Sequence, residues 1–187
     1  MKYESGWLVR RCKTFRFRCD FICCTFITFF TLLQLIHLFT DGSARGNPGP
    51  GGYGAILRYG PHEKELTQGF RHTTNNRMEL LAVIVGLEAV TRPELPIRVV
   101  SDSKYVVDAV DKKWVFGWEK KPDFGKKANE DLWRRFLRIY RQRNVTFHWI
   151  KGHAGHAENE RCDVLAVQSA LGKGLLVDEG YEAPSAV

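Results

Sequence analysis

Cysteine is nearly absent from the body of this 187-residue chain. Four of its five cysteines (Cys12, Cys19, Cys23, Cys24) lie in the first 24 residues, and Cys162 stands alone beyond them. The body therefore has no disulfide framework and reads as a protein of a reducing, cytoplasmic compartment. The N-terminal four are irregularly spaced with no histidine nearby, which argues against a zinc site. A membrane-spanning run is lacking too. An uncharged segment, Phe21 to Thr40, follows a basic one (Arg10, Arg11, Lys13, Arg16, Arg18). Residues 35–40 are needed for a strand, which leaves Phe21–Leu33 ahead of the polar Gln34, thirteen residues. As a helix these reach about 20 Å, short of a roughly 30 Å hydrocarbon core. Thr31-Leu32-Leu33-Gln34 offers no small-residue cleavage site, so a secretory signal is not supported either. Residues 1–33 are expected to be a disordered N-terminal extension or upstream sequence brought in by an early start, and membrane association is not expected. Internal repeats and low-complexity tracts are also missing.

What is present describes a globular body. Apolar residues make up 44% of the chain and tryptophan occurs five times, which excludes a disordered protein. The length suits one domain, placed at 34–171, followed by a Gly-, Glu- and Ala-containing tail, 172–187, expected to be flexible. The formal charge is +7, of which residues 1–33 contribute +4. Such a balance suggests a polyanionic partner, but the body needs a local basic feature to hold one.

The order of elements points to an α/β fold. Leu35–Thr40 reads as a strand, and Tyr53–Tyr59 and Glu65–His72 as two more, joined around Gly60-Pro61-His62 in an antiparallel hairpin. Asn75 to about Val90 carries Met78, Leu80, Leu81, Val83, Ile84, Val85 and Leu87, a largely buried helix with Thr74 or Asn75 near its N-cap. Ile97–Ser101 is a fourth strand, followed by a helix from about Ser103 to Val110. Another helix runs from about Ala128 or Asn129 to Arg143. Val145–Ile150 is a fifth strand, and a last helix covers about Asn159–Leu171. The expected result is a five-stranded mixed sheet, an antiparallel hairpin plus parallel strands, flanked by helices.

The chain is organised around Thr40–Gly54. A lone carboxylate, Asp41, sits where the first apolar run stops, and six glycines and two prolines follow within Gly42–Gly54. Taken alone, Asp41-Gly42-Ser43 is a solvated turn. Ser101-Asp102-Ser103 repeats the pattern of strand, hydroxyl and aspartate. If the two strands are parallel neighbours, both carboxylates emerge at the C-terminal edge of the sheet, where α/β proteins place ligands. Glu79 interrupts an apolar helix, where an unpaired carboxylate calls for a cation. Asp163 lies on the last helix. Carboxylates converging without a Cys/His set suggest a hard cation, Mg²⁺ or Mn²⁺.

These blocks, taken in order, are Thr40-Asp41-Gly42-Ser43, Gly46–Ala55, Thr73-Thr74-Asn75-Asn76-Arg77-Met78-Glu79-Leu80, Ser101-Asp102-Ser103, Trp149–His156 and Glu158–Asp163. Together they resemble the bacterial type I ribonuclease H family, over about Leu35–Leu171. The resemblance implies a ribonuclease H-like fold and an endonuclease that cuts the RNA strand of RNA–DNA hybrids with two Mg²⁺ ions. The products would carry 5′-phosphate and 3′-hydroxyl ends. By motif position Asp41, Glu79, Asp102 and Asp163 would be the metal-binding, catalytic carboxylates, and His153 would handle protons and product release. A DNA-cutting relative in the same superfamily and a hybrid-binding module without catalysis are the competing readings. The Asn75-Asn76 pair and the His153 loop argue against the first, and the four intact acids against the second.

The resemblance also places 2′-hydroxyl reading on Asn47, Asn75 and Asn76, whose amides can both donate and accept. It places a DNA-phosphate grip on Thr74 and Asn129. A segment at about 112–127 supplies the local basic feature, with Lys112, Lys113, Lys120, Lys121, Lys126 and Lys127 among Trp114, Phe116, Trp118 and Phe124. It is similar to the family's basic protrusion, so Lys120, Lys121, Lys126, Lys127, Trp114 and Trp118 are substrate-binding candidates. For the two tryptophans, packing beneath the protrusion is an equal alternative. Nothing in the sequence demands a dimer or a stable protein partner, and a monomer is expected.

Overall fold

The structure, a computed structural model, describes residues 35–152 and 154–182. Residues 1–33 and His153 therefore lie outside the described residues. Strands β1 (Ile36–Ala44), β2 (Gly49–Tyr59), β3 (His62–Thr73), β4 (Ile97–Ser101) and β5 (Val145–Trp149) form one sheet in the order β3-β2-β1-β4-β5. The β1/β2 and β2/β3 pairs are antiparallel, and β1/β4 and β4/β5 are parallel. This is the expected mixed sheet.

Helix α1 (Asn75–Glu88) crosses one face. With α2 (Lys104–Asp111), α3 (Trp114–Glu119) and α4 (Glu130–Tyr140) it encloses the main core of Leu38, Val99, Met78, Ile84, Trp133 and Phe136. Helix α5 (Ala157–Ala170) packs over β1 and β2 on a smaller cluster of Ile56, Cys162 and Leu165 with Phe39. Near-continuous apolar burial along α1 reflects its position between the sheet and α4.

Two sequence expectations are corrected. The first strand does not stop at Thr40: β1 continues through Asp41 to Ala44, paired with β2 as far back as Gly51. Only Arg45–Pro48 remains between them, with a cis Asn47–Pro48 peptide. Glycine density reads as loop by propensity, but Gly42, Gly52 and Gly54 are strand positions at which a helix lies too close for a side chain. A Cβ on Gly52 would meet Ser169 of α5, and one on Gly54 the backbone carbonyl of Cys162.

The second correction concerns residues 175–182 of the tail, which dock on β3 instead of running free. Leu176 donates its N–H to the Gly69 carbonyl and accepts from the Arg71 N–H, both at 2.9 Å. A final turn, α6 (Glu179–Glu182), follows. Asp178, only 6% exposed, is what anchors the segment, and an isolated acid gives no periodic signal in a sequence.

The basic segment folds as α3 and a turn at 122–126 in which Asp123, Phe124, Gly125 and Lys126 all have positive φ. Phe124 is fully buried there, against Trp118. That anchor fixes a backbone conformation which non-glycine residues disfavour.

Candidate active site

The parallel register aligns Thr40 with Ser101. The next residue on each chain is an aspartate, so Asp41 and Asp102 stand side by side at one edge of the sheet. Two glycines bring the other acids to them. A Cβ on Gly42 would collide with the backbone of Met78 and Glu79, so the bare position lets the first turn of α1 lie against β1. Gly54, directly opposite Asp41 across the β1/β2 ladder, does the same for α5 at Cys162, one residue before Asp163. Four separate elements thus deliver the four carboxylates to one place.

Three of the four acids are positioned by neighbours. Asp41 accepts from the Gly42 N–H at 2.7 Å. Glu79 accepts from Asn75 Nδ2 at 2.8 Å and from the Ser103 hydroxyl. Ser103 is also the N-cap of α2, accepting from the Val106 N–H. Asp102 Oδ2 accepts from Asn159 Nδ2 at 3.2 Å, while the Asp102 carbonyl accepts from Trp149 Nε1 at 3.0 Å. Gly152 lies so close that a Cβ on it would stand 2.5 Å from Asp102 Oδ2. Ser103 and Asn159 were not singled out from the sequence. The signal existed for Asn159, which sits four residues before Asp163 on the same helix face.

The site is short of positive charge. None of the four carboxylates forms an ion pair among the described residues. Burial, and then repulsion from Asp102, Asp163 and Glu79, push the Asp41 carboxyl up to about 8, against the opposing hydrogen bond from Gly42. Burial likewise raises Glu79, assisted by Asp102 and opposed by its bonds from Ser103 and Asn75. Such a field fits a divalent cation held by oxygen ligands. Among the described residues no three acidic, histidine or cysteine side chains already close into a metal cage.

The candidate substrate residues divide into two groups. Asn47 and Asn75 are brought together, Asn47 Oδ1 accepting from the Asn75 N–H at 3.3 Å. Asn76 is exposed beside them, and Thr74 is the N-cap of α1 without a side-chain capping bond. Asn129 lies at the start of α4 with φ +63°, donating to Tyr105 Oη at 3.0 Å. The second group is the basic segment. Lys120, Lys121, Lys126 and Lys127 are exposed, and Lys127 lies 5.7 Å from the Trp118 ring. Trp118 packs edge-on against Trp133 and Phe124, so packing is its observed part. Trp114 is 47% exposed with Lys112 over its ring.

The family model for RNase H matches residues 34–171. The chain belongs to the ribonuclease H family. Ribonuclease H of Shewanella sp. (strain MR-4) is 49% identical over 159 residues, 83% of this chain and 99% of that one. Ribonuclease H of Photorhabdus laumondii is 50% identical over 150 residues, 78% of this chain and 94% of the relative. Among solved structures, LC9-RNase H1, described as a type 1 RNase H with the type 2 active-site motif, is 35% identical with a TM-score of 0.64 over 79% of each chain. LC11-RNase H1 in complex with an RNA/DNA hybrid is 25% identical with a TM-score of 0.54, covering 71% of this chain and 94% of that one. The ribonuclease H assignment makes this chain an endoribonuclease. Among the described residues no helix is long and apolar enough to cross a membrane.

Proposed function

We propose that this chain hydrolyses the RNA strand of RNA–DNA hybrids at the carboxylate edge, leaving 5′-phosphate and 3′-hydroxyl ends. The observation that carries the proposal is the convergence of Asp41, Glu79, Asp102 and Asp163 from four elements without a cationic partner among the described residues. Those four side chains would hold two Mg²⁺ ions, with Mn²⁺ as a substitute. Cations bound there would activate a water and offset charge on the phosphate and the leaving 3′-oxygen. Asn159, Ser103 and Gly152 keep the carboxylates in place for them. His153 would handle a proton near neutrality, a role that rests on the family resemblance of its loop. Residues 34–171 are the catalytic unit in this reading, acting as a cytoplasmic monomer whose one body thiol, Cys162, is buried.

Strand choice would follow from Asn47, Asn75 and Asn76, which lie together beside Glu79 and suit a ribose hydroxyl. The hybrid in the LC11-RNase H1 complex supports that substrate class. The test incubates labelled RNA–DNA hybrid, duplex DNA and duplex RNA with Mg²⁺, beside an Asp102→Asn variant. Cleavage confined to the RNA of the hybrid, reduced about a hundredfold or more in the variant, is the expected result. Cutting of duplex DNA, or equal activity in the variant, would remove the proposal.

The exposed lysines would contact backbone phosphates of the hybrid. None of Lys120, Lys121, Lys126 and Lys127 forms an ion pair among the described residues, so all four charges are free to replace counterions. Four such contacts should weaken hybrid binding roughly a hundredfold between about 50 and 200 mM salt. Replacing all four by glutamine should flatten that dependence, and a titration monitored by fluorescence anisotropy reads it directly. An unchanged slope would remove the lysines from the interface.

A further inference from the structure

Arg77 is the most completely engaged side chain outside the carboxylate edge. It follows Asn75 and Asn76 on the first turn of α1, and its side chain is 3% exposed. A guanidinium has five N–H donors, and each has a partner. Nε and Nη2 donate to Asp178 at 2.8 Å, and Nη1 and Nη2 to Asp131 at 2.9 and 2.7 Å. The remaining Nη1 hydrogen reaches Asn129 Oδ1 at 3.4 Å. A guanidinium so saturated has nothing left to offer a phosphate. Its work is to hold its neighbours.

The two acids are not equivalent. The Asp131 side chain is 42% exposed, whereas that of Asp178 is 7% exposed. Asp178 also accepts from the Thr73 hydroxyl at 2.6 Å, next to Thr74. The buried partner therefore comes from the C-terminal segment. Around it, Leu176 pairs with β3 on both sides, Arg71 meets Glu182 at 2.8 Å, and the Tyr181 ring lies 5.9 Å from the Arg77 guanidinium. Gly180 passes so near that a Cβ would stand 2.7 Å from Arg77 Nη2.

We propose that residues 175–182 form a strap that fixes the hybrid-reading residues, with Asp178 as its positioning residue. Through Arg77 it ties Asn75 and Asn76, assigned to the RNA strand, to Asn129, assigned with Thr74 to a phosphate of the DNA strand. The spacing of these groups must match the width of a hybrid, and one buried guanidinium sets it. The strap touches neither substrate nor the carboxylates. It rests on the proposed hybrid specificity of the site.

The test uses the full chain and two variants, Asp178→Asn and the double Arg77→Met/Asp178→Leu. The double removes both buried charges together and so avoids leaving one unpaired. Steady-state cleavage of a hybrid is measured at a temperature where circular dichroism shows each protein folded. Amide exchange is followed at residues 74–79 and at Asn129. The expected result is a KM raised about tenfold with kcat within about threefold, together with faster exchange at those amides. A purely stabilising tail would lower the melting temperature and leave KM unchanged in the folded variants, and that outcome overturns the strap. If Asp178→Asn does not fold, the double variant decides on the same readout. If neither folds, the segment is part of the core, which also overturns it. A parent protein that fails to cleave hybrid defeats the proposed function instead, and exchange then judges the strap by itself: unaltered protection at 74–79 and Asn129 overturns it.

Discussion

Asp41→Asn is expected to abolish cleavage and, without metal, to make the protein more stable. The loss of activity follows from removing a charged ligand, several kcal/mol of transition-state stabilisation or about three orders of magnitude in rate. The gain in stability follows from the field at the site. Asp41 has an ordinary carboxyl value of 3.8, pushed up to about 8 in the fold by burial first and then by the neighbouring acids. The sign follows from comparing the two states. Below about 3.8 the group is protonated folded and unfolded, and it contributes nothing to the pH dependence. As pH rises towards 8 the unfolded chain ionises freely while the folded one resists, so stability is lost across this window and stays low above it. At pH 7 the penalty is about 4 kcal/mol. An asparagine keeps the acceptor for the Gly42 N–H and removes the charge. Metal-free melting curves should therefore show the variant higher by roughly 8–16 °C at pH 7–8, with the two converging towards pH 4. Mg²⁺ should narrow the difference by binding the parent's folded state. Parallel melting curves from pH 4 to 8 would refute the repulsion argument.

The same residue marks how far the sequence could be read. The pairing of Thr40-Asp41 with Ser101-Asp102 was legible because both strands are apolar up to the acid, and parallel pairing then sets the two carboxylates side by side. Glu79 was legible as a charge inside an apolar helix. What could not be read were contacts made by single residues far apart in the chain. Asn159 reaching Asp102, Ser103 reaching Glu79 and Asp178 reaching Arg77 are each one side chain meeting another, with no periodicity to announce them. Asp178 in particular lies in a stretch whose composition suggests a loose end, and its burial depends on an arginine 101 residues earlier. Left-handed backbone at Asp123, Phe124 and Lys126 was equally hidden, since it is imposed by the burial of Phe124.

Gly54→Ala tests whether the glycines of the Thr40–Gly54 stretch serve the substrate or the packing of the helices. Gly54 is a strand residue opposite Asp41, and a methyl there would run into the carbonyl of Cys162 and stand 2.8 Å from Leu165 Cβ and 3.1 Å from the Ala166 nitrogen. Two of these three obstacles are backbone, so no rotamer change relieves them and α5 must move as a body. Overpacking of this kind destabilises by about 3 kcal/mol, which for a chain of this size lowers the melting temperature by roughly 6–12 °C. Asp163, one residue beyond Cys162, moves with the helix. A displacement near 1 Å at a reacting centre lowers rate on the order of a hundredfold, so activity should fall even at temperatures where the variant is folded. A glycine in a loop facing substrate would behave differently, raising KM while leaving the melting temperature alone. Gly117→Ala provides the control: no atom lies within 4 Å of the added Cβ in α3, and alanine there should hold or raise the melting temperature. If Gly54→Ala melts with the parent and loses only substrate affinity, the glycines serve the substrate. If it loses stability and kcat together, they serve the helices that carry Glu79 and Asp163 to Asp41.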